Sequence, residues 1–127
     1  MIFKFAKSID LYDADRFYYG WRAEAESGII QFYSPEQIIQ TAVPRFSEYK
    51  DLALVEINEV EYGKWVQWQS INPDGELFPQ LHCPMDMKSI VSCIGLFDDD
   101  ESRILFLRDY IFENPDRYPR RTEKWPA

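Results

Sequence analysis

The sequence predicts an α+β fold in a single domain, and three observations carry that expectation. Ser34-Pro35-Glu36-Gln37 has the form of a helix start: Ser34 suits the N-cap, Pro35 the first helical position, and Gln37 can close a capping box. Leu52 to Ile57 is a near-continuous apolar run with β-branched members, the pattern of a central strand buried on both faces. Ile2-Phe3-Lys4-Phe5-Ala6 and Lys64-Trp65-Val66-Gln67-Trp68-Gln69 alternate with period two, as strands do.

Composition narrows the possible functions. The chain has 127 residues, enough for one core without a metal or disulfide staple. Aromatic residues make up 17% and supply much of that core. The net charge of −8 argues against a nucleic-acid partner, whose phosphates need a basic patch, and against an anionic membrane surface. No apolar run reaches membrane-spanning length, and Lys4 and Lys7 interrupt any leader-like apolar region near the start. Cys83 and Cys93 lack metal-type spacing, and with one histidine they do not readily complete a zinc site. They are read as reduced thiols of a cytoplasmic protein.

Taken in order, the first strand places Lys4 opposite Phe3 and Phe5, which is commonly an outward position. Ser8 opens a brief helix through Leu11 and Tyr12. Phe17-Tyr18-Tyr19-Gly20-Trp21 is an aromatic cluster that either fills the core or stacks a planar ligand. The acidic stretch Glu24 to Ser27 follows. Gly28 to Tyr33 reads as a second strand with Gln31 as its polar member, and a buried glutamine needs partners for two donors and an acceptor. After Ser34, the residues Ile38, Ile39, Ala42, Val43 and Phe46 share one helical face, with a kink or early end expected at Pro44. Glu59 to Gly63 turns the chain, and Asn72 to Gly75 turns it again. Ile90 to Leu96 is a further strand. Asp98 to Glu101 cap a last helix over residues 101–113, with Ile104, Leu105, Leu107, Ile111 and Phe112 apolar. One domain is expected over residues 1–115, with a charged tail over 116–127 that is mobile unless Trp125 docks.

The stretch from Gly75 to Pro84 holds His82, the only histidine. Pro79 and Pro84 remove backbone donors, so an extended, irregular crossing is expected there rather than a central strand. In an extended chain Gln80 and His82 share one face while Leu81 and Cys83 turn to the core. That polar face is either a pocket wall or simply solvated. No phosphate-binding glycine loop, nucleophile elbow or HExxH motif is present.

Three stretches, Gly28 to Gln37, Asp51 to Ile57 and Gly75 to Pro84, resemble a bacterial family known as domain of unknown function 952. The features retained are Gly28, Ile30, Ser34, Gln37, the apolar strand, Phe78-Pro79 and Pro84, and the resemblance spans residues 2–96. It implies a fold like that of ADP-ribosyltransferases, in which small twisted sheets with flanking helices form a cleft that holds NAD in active relatives. The family usually has proton-exchanging residues, histidine or glutamate, at four positions where this chain has Lys4, Gln31, Gln69 and Gln80. Amide and ammonium groups still bind but do not relay protons near neutral pH. The resemblance therefore implies a divergent, non-catalytic member. Lys4, Gln31, Ser34, Gln69, Gln80 and His82 would bind a nucleotide-like or other small ligand in that cleft. NAD is a ligand possible by resemblance, and no cofactor is required. The competing readings are a weak NAD-dependent transferase or hydrolase using His82 and Glu76, and a protein-interaction domain.

Overall fold

The computed structural model describes residues 1–70 and 73–117. The expected turn at Asn72 and the tail with Trp125 fall wholly or partly outside the described residues. The architecture is a single α+β domain built from small antiparallel sheets and short helices.

β1 (Ile2–Lys7) runs into α1 (Ser8–Asp13). β4 (Leu52–Ile57) lies between β1 and β8 (Ile90–Gly95), antiparallel to both. Every residue of β4 is buried, Glu56 included, which is why the rest of the run is apolar. One face of this sheet carries Phe3, Phe5, Leu52 and Leu54, packed with Ile38, Ala42, Val43, Leu107 and Tyr110 from the helices. The other carries Ile2, Ala6, Ala53, Val55 and Ile57, packed with Phe32, Leu81 and Met85. Lys4 is a member of this second, buried row and is 1% exposed, so the outward placement expected from alternation does not hold.

β2 (Phe17–Tyr18) pairs with β7 (Met85–Asp86). The segment before β3 is α2 (Arg22–Ser27), where only an acidic stretch was legible. Gly28 ends α2 with φ +79, a left-handed conformation that suits glycine. The strand expected over Gly28 to Tyr33 shrinks to β3 (Ile30–Gln31).

Two further strands correct the expectation for the proline-bearing stretch. β5 (Val66–Ser70) and β3 flank β6 (Leu77–Leu81), so Pro79 lies in a central strand. The register shows how this is tolerated. The Phe32 amide donates to the Pro79 carbonyl at 2.8 Å, so the backbone of Pro79 faces β3. The return bond to Phe32 O is impossible without an N–H. The side-chain amide of Gln31 donates to that carbonyl instead, at 3.2 Å. The ladder ends there, and the next residue, Tyr33, exchanges two backbone bonds with Phe3, at 2.8 and 2.7 Å. The chain thus passes from one sheet to the other within one residue.

The helix after Ser34 forms with its capping box, with Ser34 Oγ accepting from Gln37 N at 3.2 Å and Gln37 Oε1 from Ser34 N at 3.0 Å. It consists of α3 (Pro35–Gln37), a π turn (Ile38–Ala42) and α4 (Val43–Arg45). The π turn accommodates Pro44: the Val43 amide reaches back to Ile38 O, and the helix continues to Arg45. The last helix, α5 (Asp100–Arg108), is capped by Asp99, whose carboxylate accepts from Ser102 N at 2.8 Å, and extends as a π turn, Asp109–Glu113. Its buried stripe is Arg103, Leu107 and Tyr110, while Leu105 and Phe112 are exposed, contrary to the expected apolar side. Among the described residues, no helix is long and apolar enough to cross a membrane.

Candidate functional site

A cavity of about 300 Å³ opens beside the crossing between the two sheets. Trp21, Glu24, Gln31, Tyr33, Arg45, Phe46 and Tyr49 line it. The aromatic wall is a mutual cluster, with ring centroids 5.2 Å apart for Trp21–Phe46, 5.1 Å for Trp21–Tyr49 and 5.5 Å for Phe46–Tyr49. Trp21 is fixed by its indole N–H donating to Phe5 O at 2.9 Å. The segment bearing Phe46 and Tyr49 is held from behind by Arg103. That guanidinium is fully buried and donates to the carbonyls of Phe46 (3.0 Å), Tyr49 (2.6 Å) and Phe97 (2.6 Å).

The floor is Glu24. Its Oε1 accepts from Lys4 Nζ at 2.7 Å and from Trp21 N at 2.9 Å, and its Oε2 accepts from Gln31 N at 2.8 Å. Three donors from β1, the start of α2 and β3 therefore meet at one carboxylate. Gly20 makes this approach possible: a Cβ there would stand 2.6 Å from Glu24 Oε1, and its φ is +93. Beneath the floor, Lys4 Nζ lies 5.5 Å from the Phe32 ring centroid and 5.8 Å from that of Tyr18. Burial among these rings lowers the Lys4 pKa, against the opposing pull of Glu24. Burial, with a smaller push from Glu24, raises that of the Tyr18 phenol.

Also lining the cavity, Arg45 Nη1 donates to Tyr33 Oη at 2.8 Å, and its guanidinium lies 5.9 Å from the Tyr33 ring centroid. Burial raises the Tyr33 pKa, with Arg45 opposing. Arg45 has no carboxylate partner among the described residues.

The candidates read from sequence separate into groups. Gln31 lines the cavity, and Lys4 is sealed below it. Gln80, 7% exposed, lies behind Gln31, its amide 3.4 Å from Gln31 Oε1. Gln69 is exposed on β5 and donates to Gln67 Oε1 at 3.1 Å, so it shares a sheet face with Gln80 without entering the cavity. Ser34 Oγ is engaged in capping. Glu76 is exposed and accepts from Gln37 Nε2 at 3.1 Å. His82 and Glu76 flank β6, six residues apart on an extended path of roughly 20 Å, so they do not form a pair. Sequence reasoning missed Glu24, Tyr33, Arg45, Phe46 and Tyr49. For Glu24 a signal existed: an acid three residues after a helix start preceded by Gly20.

A family model for a protein of unknown function (DUF952) matches residues 6–93. Two solved structures share the fold, those of protein CC0527 from Caulobacter crescentus and of its double mutant. Each is 21% identical, with a TM-score of 0.71, covering 80% of this chain and 90% of the other. No curated protein matches the chain. With its family match spanning more than half its length, the chain belongs to the DUF952 family.

Proposed function

We propose that the protein binds a small, planar, negatively charged ligand of nucleotide-like chemistry in the Trp21–Arg45 cavity and does not transform it. The observation that carries this reading is Arg45, an exposed arginine without a carboxylate partner among the described residues, lining one cavity together with Trp21, Phe46 and Tyr49. A guanidinium offers a planar fork to phosphate or carboxylate, and aromatic faces accept a flat ring. A volume of about 300 Å³ is at the small end of ligand sites and suits one ring system with its sugar rather than a whole dinucleotide. The likeness to the ADP-ribosyltransferase fold is part of this proposal, with NAD a ligand whose adenylate or nicotinamide half alone would enter. The absence of turnover follows from the polar groups nearby: Gln31 and Gln80 are amides, Lys4 is sealed against Glu24, and His82 stands apart from Glu76.

The test is calorimetric titration with AMP, ADP-ribose and NAD, combined with nicotinamide release from NAD. Binding of at least one probe is expected, with nicotinamide release no faster than in a heat-killed control. Arg45→Ala should weaken binding about tenfold or more, roughly 1.4 kcal/mol, and circular dichroism checks that the variant stays folded after losing the bond to Tyr33 Oη. No binding by any probe, or equal affinity in Arg45→Ala, would overturn the reading.

A further inference from the structure

Among the described residues β5 is an open sheet edge, and its sequence is self-complementary. The Pro79 carbonyl faces β3, so on β6 the backbone groups of Phe78 and Gln80 face β5. Their partners on β5 are Gln69 and Gln67, and the His82 amide bonds Trp65 O at 2.8 Å in the same parity. The alternate residues, Val66 and Trp68, therefore turn their backbone groups away from β6. The Val66 amide is used by Gly63 O, but its carbonyl and both backbone groups of Trp68 have no partner among the described residues. Edge strands are commonly guarded by a charge, a proline or a bulge. Val66-Gln67-Trp68-Gln69-Ser70 has no charge and no proline, its register with β6 is unbroken, and all but Val66 are exposed.

We propose that this edge pairs with the same edge of a second copy of the chain, antiparallel and centred on Trp68. A two-fold axis there sets Trp68 opposite Trp68 of the second copy, in a pair that exchanges both backbone bonds. It also sets Gln67 opposite the other copy's Gln69, twice. The segment reads Gln-Trp-Gln in either direction, so each side chain meets the partner it needs. The polar row that already runs across Gln31, Gln80 and Gln67 continues over the axis, and two three-stranded sheets become one of six. The strand's own residues are uncharged in a chain of net charge −8, where two copies repel elsewhere, and the carboxylate beside it, Glu59, is held by the Trp68 indole N–H at 2.9 Å.

The pairing is tested by sedimentation velocity over a concentration series reaching millimolar chain. The wild type is expected to move from 15.2 kDa to twice that mass, more readily in higher salt. The double variant Gln67→Lys with Gln69→Lys places like charges opposite each other and should remain monomeric. Gln67→Lys with Gln69→Glu places opposite charges across the axis and should regain the dimer. Trp68→Pro removes an outward amide without touching a bond to β6 and should abolish pairing. Circular dichroism checks that each variant is folded. The proposal is overturned by a wild type that stays monomeric at millimolar chain, including one that instead captures an extended peptide. It is equally overturned by a dimer that survives the double lysine change, or one that the lysine–glutamate change does not restore.

Discussion

Lys4 occupies a place where the strand pattern calls for an apolar side chain, and its ammonium is compensated by one carboxylate that is itself shared. Burial makes the folded chain hold this proton less tightly than the unfolded chain, whose lysine titrates near 10.5. Between the depressed value and 10.5 the unfolded state binds more protons, so stability rises with pH across that window. Tyr18, Tyr33 and Tyr62 act oppositely. Their raised pKa values mean that above about pH 10 the folded state keeps protons the unfolded state releases, and stability falls. Urea unfolding from pH 7 to 11 should therefore show a rise followed by a drop. In Lys4→Met the rise should disappear and the drop remain; an unchanged profile would show that Lys4 does not titrate differently on folding. None of this was legible in the sequence. Period-two alternation says which residues share a face, but not that β1 is covered on both faces, and the partner Glu24 lies 20 residues away.

At the scale of elements, the cavity depends on a helix that does not line it. Arg103 of α5 reaches the segment after α4 and satisfies two of its carbonyls and that of Phe97. Arg103→Met keeps the stem but orphans the Tyr49 and Phe97 carbonyls and leaves Phe46 O with the Tyr49 amide alone, at a cost of about 3–5 kcal/mol in unfolding free energy. Lysine should not rescue it, because one ammonium does not reproduce the planar fork. Ligand affinity should fall along with stability, since Phe46 and Tyr49 lose their anchor; denaturant titration and calorimetry on the same variant check both. Capping at Ser34 and burial of β4 were legible because local chemistry and a near-continuous apolar run determine them. The central position of β6 was not. Pro79 argues against it locally, and the substitute donor, Gln31, belongs to another strand.

For the molecule as a whole, the family match ends at residue 93, yet the core continues beyond it. Leu107 and Tyr110 are fully buried against Phe3, Phe5 and Leu54, and Tyr110 Oη donates to Ser92 Oγ at 2.8 Å, which donates to Glu56 at 2.8 Å. Removing residues 98–127 would bare that face and strip a buried polar chain of its outer member. The truncated chain should melt well below the full chain or fail to stay monodisperse, and an unchanged melting temperature would show α5 to be dispensable. The α+β class was readable because capping, alternation and apolar runs are local properties. The cavity was not, because its lining comes from three separate stretches, Trp21 to Glu24, Gln31 to Tyr33 and Arg45 to Tyr49, whose meeting depends on how the sheets join. At that junction, Pro79 withholds an amide and Gln31 replaces it. Residues 31 and 79 are therefore bound together in inheritance: a lineage that exchanges the proline regains a backbone donor, and the glutamine amide is freed from the Phe32 carbonyl. One that loses the glutamine leaves the Phe32 carbonyl wanting as long as the proline stays. The two positions should drift as a pair, and a change in one strand resets which substitutions its neighbour tolerates.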